Sequence, residues 1–146
     1  MAKKYRKAVG AVIFKRDKFL LVQKIRAGKY SIRPRWDFSK GGVDKKDKDL
    51  KKALFRELYE ETHSRNYKII KKFKDKTKIE WTKLFKKRFG WFGQETTMFL
   101  VEYTGNGRHL RPDKYEIGDI KFFTREETLH KLRGKETIRF FRKNIK

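Results

Sequence analysis

One stretch constrains this chain more than any other: Gly41-Gly42-Val43, followed by residues 47–64, DKDLKKALFRELYEETHS. Its most telling part is Arg56-Glu57-Leu58-Tyr59-Glu60-Glu61. Residues three and four apart are neighbours on a helix, so Glu57, Glu60 and Glu61 share a face. The apolar residues Leu50, Ala53, Leu54 and Leu58 define a stripe. At roughly 100° per residue, Glu57 and Glu61 fall within it. An ordinary surface helix turns its acids away from its apolar face. These acids also occupy the last turns, where the helix dipole disfavours negative charge. Such a cluster needs a strong positive partner. A hard divalent cation with oxygen ligands meets that need, and Mg²⁺ in phosphate chemistry is the usual case.

The same residues carry a family resemblance. Gly42, Arg56, Glu57, Leu58, Glu60 and Glu61 stand in the register of the Nudix box. That box reads Gly, five residues, Glu, seven residues, then Arg-Glu-apolar-any-Glu-Glu-any-Gly-apolar. Three positions depart from it: Lys48 replaces the first Glu, His63 the Gly and Ser64 the apolar residue. Asp47 and Asp49 are the candidates to compensate for Lys48. His63 suits a helix end, because His is among the few residues enriched at φ > 0 after Gly. The resemblance implies an α/β/α sandwich with a mixed β-sheet, and one Nudix hydrolase domain over residues 1–146. It implies a metal-dependent hydrolase of nucleotide pyrophosphate bonds, with Mg²⁺ or alternatively Mn²⁺ as cofactor. Glu57, Glu60 and Glu61 are then the metal ligands. Arg56 orients a carboxylate through a charged hydrogen bond.

Further residues resemble one branch of that family, the bacterial RNA 5′-pyrophosphohydrolases and their dinucleoside-polyphosphate-hydrolase relatives. Trp36, Phe38, Gly41 and Gly42 match the branch's Trp-any-Phe-Pro-any-Gly-Gly motif, with Ser39 in place of Pro. Tyr5-Arg6 followed by Val9-Gly10 also matches, and the resemblance gives Arg6 a nucleotide contact, with Tyr5 beside it. Glu116 stands in a loop where the branch carries an extra glutamate. It is read as metal ligand or general base; the other reading is a solvated loop acid. Phe140 and Phe141 lie near the branch's C-terminal aromatic and become candidates for stacking on a base. Lys40 and the Gly41-Gly42 backbone are candidates for holding phosphate oxygens, since Gly permits close approach.

Charge narrows the partners. There are 42 Lys and Arg against 18 Asp and Glu, a net charge of +24. Heat-adapted surfaces pair Lys with Glu in networks, and here the acids do not match the bases. The excess points to a polyanion, such as RNA or a highly phosphorylated nucleotide; a solvated basic surface is the alternative. The chain has no cysteine, which excludes disulfides and thiolate metal sites. No uncharged apolar run is long enough to span a membrane. The N-terminal apolar run is followed at once by Lys15-Arg16-Asp17-Lys18 and reads as a strand, not a signal peptide. A cytoplasmic location without a membrane partner is expected.

Along the chain, residues 8–14 and 19–22 read as a hairpin. Residues 24–34 read as a basic loop, and 36–38 as a short strand. Past the box helix, 67–73 and 79–84 read as two strands. The surrounding segment, KKFKDKTKIEWTKLFKKRFGWFG, interleaves cations with aromatics. That suits single-stranded nucleic acid; the aromatics equally suit the core of strands. Residues 96–103 and 119–123 read as strands. Thr124 with Glu127 forms a capping box opening a helix, and 137–145 reads as a final helix.

The leading functional reading is a Mg²⁺-dependent hydrolase acting on triphosphorylated RNA 5′ ends. A diadenosine polyphosphate hydrolase is the alternative within the family. A non-catalytic RNA- or ribosome-binding Nudix module is the alternative of another class, favoured by Lys48 and His63 and opposed by the intact glutamate cluster.

Overall fold

The structure is a computed structural model and describes residues 3–146. The elements run β1 (Tyr5–Lys15), β2 (Lys18–Ala27), β3 (Tyr30–Asp37), β4 (Ser39–Gly42), α1 (Leu50–Thr62) and β5 (Tyr67–Glu80). They continue with α2 (Lys83–Phe89), β6 (Gly93–Tyr103), β7 (Ile117–Thr124), α3 (Arg125–Lys131) and α4 (Lys135–Asn144). The described strands form a seven-stranded mixed sheet in the order β3-β2-β1-β6-β5, with β4 paired to β1 and β7 to β2. β1 and β6 run parallel, and the other pairs are antiparallel.

Strand alternation divides the core into two layers. Val9, Leu20, Val22 and Phe99 pack against Leu54 and Leu58 of α1. On the opposite face Val12, Leu21, Phe38 and Met98 pack against Phe140 and Phe141 of α4. Helices on both faces of a mixed sheet give the expected α/β/α sandwich.

One handover in the sheet builds the site. β1 pairs with β2 only from Ile13↔Leu20 to Lys15↔Lys18. Upstream, β1 pairs instead with β4, from Ala8↔Gly42 to Ala11↔Ser39. The Gly-Gly pair therefore lies inside the sheet, next to the N-terminal half of β1 and beneath α1.

Two segments differ from the sequence reading. Residues 24–34 are not a loop, because β2 continues to Ala27 and β3 returns from Tyr30. This ribbon carries charged side chains and is only partly buried, so the apolar alternation that marks a strand is missing. Residues 67–84 are not two strands. β5 is one edge strand with register shifts between Ile69 and Lys71 and between Lys72 and Lys76. These irregularities break the two-residue period. Residues 83–84 open α2, where Thr82 Oγ1 accepts from Phe85 N at 3.3 Å. That cap was the signal of a helix start. Among the described residues, no helix is long and apolar enough to cross a membrane.

Candidate active site

α1 is fixed at both ends. Asp49 caps its start, accepting from Lys52 N at 2.8 Å. His63 ends it at φ 60°, in the left-handed region expected for it, and donates its N–H to Tyr59 O. The His63 ring adds what Gly could not: Nδ1 lies 2.6 Å from Arg111 O. Arg111 N also donates to Thr62 O at 2.9 Å. The loop that carries Glu116 is thus tied to the C-terminal end of α1.

Arg56 organises the acids. Its Nε and Nη2 donate to the two carboxylate oxygens of Asp47, at 3.0 and 2.8 Å. Nη1 donates to Glu57 at 2.9 Å and to Glu60 at 3.3 Å. Nη2 also reaches Gly42 O at 3.0 Å. Only a planar fork of donors serves this many oxygens at once. Asp47, and not the exposed Lys48 beside it, is thus the residue that Arg56 holds through both carboxylate oxygens. The hydrogen bonds to Arg56 hold the Asp47 carboxyl below the usual range.

The three glutamates differ. Glu61 is 4 % exposed, and its Oε1 accepts from Ser39 Oγ. Burial pushes its pKa up to about 8, against the pull of Lys24 and the Ser39 bond; the charges of Glu57 and Glu116 push it further. Burial raises Glu57 to about 7, with Glu60 adding to the rise and Arg56 opposing it. Glu60 is exposed. Glu116 is exposed as well, and its charge adds to the rise at Glu61.

The two glycines of β4 meet the site from opposite sides. A Cβ on Gly41 would lie 1.9 Å from Cδ of Glu57, and one on Gly42 would lie 2.1 Å from Nη2 of Arg6. Any side chain here would displace either the carboxylate or the guanidinium. Arg6 also reaches Gln94 Oε1 at 3.4 Å. Tyr5 packs edge-on to Phe92, with ring centroids 5.5 Å apart. Arg56 and Glu57 therefore meet Gly41-Gly42 from the α1 side, and Arg6 meets Gly42 from the other.

Three residues expected to meet a ligand are buried instead. Lys40 is 5 % exposed. Its ammonium lies 3.4 Å from Asp37 Oδ1 and donates to Thr137 Oγ1 at 3.2 Å. Burial lowers its pKa, with Asp37 opposing the shift. Lys40 thus braces β4 against α4 and does not face solvent as a phosphate ligand. Phe140 is 5 % and Phe141 0 % exposed. Their rings pack edge-on to Phe73 and Phe19, so neither offers a free face to a base. Both are core residues.

Sequence reasoning missed Lys24 and the role of Ser39. Lys24 follows Leu20 and Val22 at the two-residue period, which turns it toward α1. Its charge acts on Glu57, Glu61 and Asp37. Reading 24–34 as a loop hides this alternation. Ser39 is visible in the sequence only as a replacement for Pro.

The donor set is all oxygen and partly buried, and it has less positive charge near it than its carboxylates need. That fits a hard divalent cation held by Glu57, Glu60, Glu61 and Glu116. Among the described residues, no three acidic or histidine side chains already converge as a cage; Arg56 spans Glu57 and Glu60 instead.

Comparison with known proteins agrees with this geometry. The NUDIX domain family model matches residues 4–143. An RNA pyrophosphohydrolase of Nitratiruptor is 29% identical over 130 residues, covering 88% of this chain and 83% of the relative. An RNA pyrophosphohydrolase of Campylobacter jejuni is 31% identical over 112 residues, covering 75% and 67%. Among solved structures, a C. elegans Ap4A hydrolase in a binary complex superposes with a TM-score of 0.68 at 19% identity, covering 93% of each chain. The chain belongs to the Nudix family, and it is a Nudix pyrophosphohydrolase. Nudix hydrolases generally use divalent metal ions such as Mg²⁺.

Proposed function

We propose that this chain, acting as one Nudix unit over residues 1–146, hydrolyses the pyrophosphate linkage at triphosphorylated RNA 5′ ends with Mg²⁺. One observation carries the choice of substrate: relatives aligned over most of both chains are named RNA pyrophosphohydrolases. The net charge of +24 supports it, because each phosphate contacted adds sequence-independent affinity.

Mg²⁺, when bound, shields the phosphate charge and lowers the pKa of a bound water. The chain's own groups set the geometry. Arg56 holds Glu57 and Glu60 beside Asp47 through its fork. Ser39 fixes one oxygen of Glu61 and leaves the other free for a ligand. Glu116, exposed in its loop, serves as a further ligand or as general base. Arg6, against Gly42, offers its guanidinium to the phosphates or the first nucleotide.

The test is a three-substrate comparison with Mg²⁺: triphosphorylated RNA, diadenosine tetraphosphate and a nucleoside triphosphate, with products identified. The expected result is fastest turnover of the RNA, leaving a shortened 5′ phosphate chain. Faster hydrolysis of the dinucleotide at every salt concentration would move the assignment to a dinucleoside polyphosphate hydrolase. The motif Trp36, Phe38, Gly41, Gly42 is shared by that branch of the family.

A further inference from the structure

A basic, aromatic-rich surface beside the site is not part of the site. Residues 78–92 carry five Lys and Arg, five aromatics and one acid, Glu80. Their aromatics do not join either layer of the core. Trp81, Phe85 and Phe89 pack edge-on to one another, with ring centroids 5.5–6.2 Å apart. Phe89 also meets Tyr30 of the β2–β3 ribbon at 6.0 Å. This satellite cluster props α2 as an arm between the start of β6 and the ribbon.

The arm is coated with cations. Arg88 lies over Tyr30 at 3.9 Å, and Lys78 lies over Tyr5 at 4.4 Å. Glu80 is taken by Lys86 at 2.6 Å. Among the described residues, Lys83, Lys87 and Arg88 have no acidic partner, and all three are exposed. Trp91, just past the helix, is 38% exposed, and no other ring packs on it among the described residues.

The arm is also continuous with the site. Phe92 N donates to Lys4 O at 2.8 Å, and Tyr5 pairs with Gly93. The next residue, Arg6, lies on Gly42. Arg6 and Tyr5 thus bridge Gly42 to α2, which gives an RNA with its 5′ phosphates at Gly41-Gly42 a path onto α2. Unpaired cations for phosphates beside an open aromatic face for a base are the means by which single strands are held without reading sequence.

We propose that α2 and Trp91 form a track for single-stranded RNA downstream of the 5′ end. This rests on the RNA reading of the site. It predicts that RNA length, and not the 5′ phosphates alone, sets affinity.

Binding is measured in EDTA, to prevent turnover, with triphosphorylated RNA of roughly 12 nucleotides and with a triphosphorylated dinucleotide. The longer RNA binds at least about tenfold tighter to the wild type, a gap that base stacking and phosphate contacts supply. Lys83→Ala/Lys87→Ala/Arg88→Ala abolishes most of that advantage and flattens the salt slope by about 2, since each phosphate neutralised on a single strand contributes roughly 0.7 to the slope. Trp91→Ala weakens the longer RNA by about tenfold with its slope unchanged. Lys83→Ala/Lys87→Ala, which leaves the Arg88–Tyr30 contact in place, covers the case in which the triple variant misfolds. An undiminished length advantage in the variants overturns the track. So does equal binding of an RNA duplex of the same length, which would make α2 a general polyanion surface. If the protein hydrolyses no RNA but the length advantage still falls in the variants, the function reading fails and the track stands. If it hydrolyses RNA and the variants keep the advantage, the reading stands and the track fails.

Discussion

In α1 two of the three clustered acids lie inward: Glu61 is 4 % exposed, and Glu57 is covered by Gly41 and held by Arg56, while Glu60 stays exposed. In α2 the bases lie outward, and the helix buries no residue at all. Both helices are dense in charge, but the physical cost differs. Burying a carboxylate is expensive unless it is paired or neutralised. That expense appears as the raised pKa values of Glu57 and Glu61. The cations of α2 stay hydrated and shape the field outside the molecule. On the proposed function, the α1 acids gathered on Arg56 do the chemistry and the outward cations of α2 collect ligand.

If that contrast holds, α1 substitutions act on turnover and α2 substitutions act on binding. The largest effect is expected for Glu60→Gln and Glu61→Gln. Steady-state assays should show kcat falling on the order of 10³-fold while circular dichroism stays native, since each loses a charged ligand and part of the water activation. Near-normal turnover in either variant would remove the distinction between the helices. Next comes Arg56→Lys. An ammonium cannot bond Asp47, Glu57 and Gly42 O together. We expect about a hundredfold loss of kcat and a lower denaturant midpoint, because Asp47 loses its two-oxygen pairing.

A smaller effect concerns pH. Folded Glu57 and Glu61 titrate near 7 and 8, above the ordinary value of 4.5. Both hold protons more tightly when folded, so protonation stabilises the fold. That contribution is complete below about pH 4.5 and is lost as pH rises through 7 to 8. In EDTA the Tm should fall steadily between about pH 5 and 9. The fall should disappear in Glu57→Gln/Glu61→Gln. A Tm that rises over this range in the wild type would contradict the assignment. The smallest effect is on α2: Lys83→Ala/Lys87→Ala should change stability by less than about 0.5 kcal/mol and leave kcat on a dinucleotide unaltered.

The same contrast explains what the sequence made legible. α1 was readable because its acids violated the amphipathic pattern at a fixed spacing, and such violations survive in one dimension. The capping box at Thr124 and the left-handed end at His63 were readable for the same local reason. Ser39, Lys24 and Lys40 were not, since their partners Glu61, Glu57 and Thr137 lie far along the chain. Phe140 and Phe141 had the right residue type for stacking, but only the packing of α4 on the sheet shows that their faces are taken. The aromatics of residues 73–92 had two readings, and the fold divides them. Phe73 joins the core, while Trp81, Phe85 and Phe89 form the satellite cluster.

The most direct test of the α1 site is calorimetric titration of Mg²⁺ into the protein at pH 7, in two buffers of different ionisation enthalpy. Metal must displace the protons that Glu57 and Glu61 still hold at that pH. The expected result is binding with release of about one proton per protein, and loss of both the binding and the release in Glu57→Gln/Glu61→Gln. Equal Mg²⁺ affinity in wild type and variant, or binding without proton release, would contradict it.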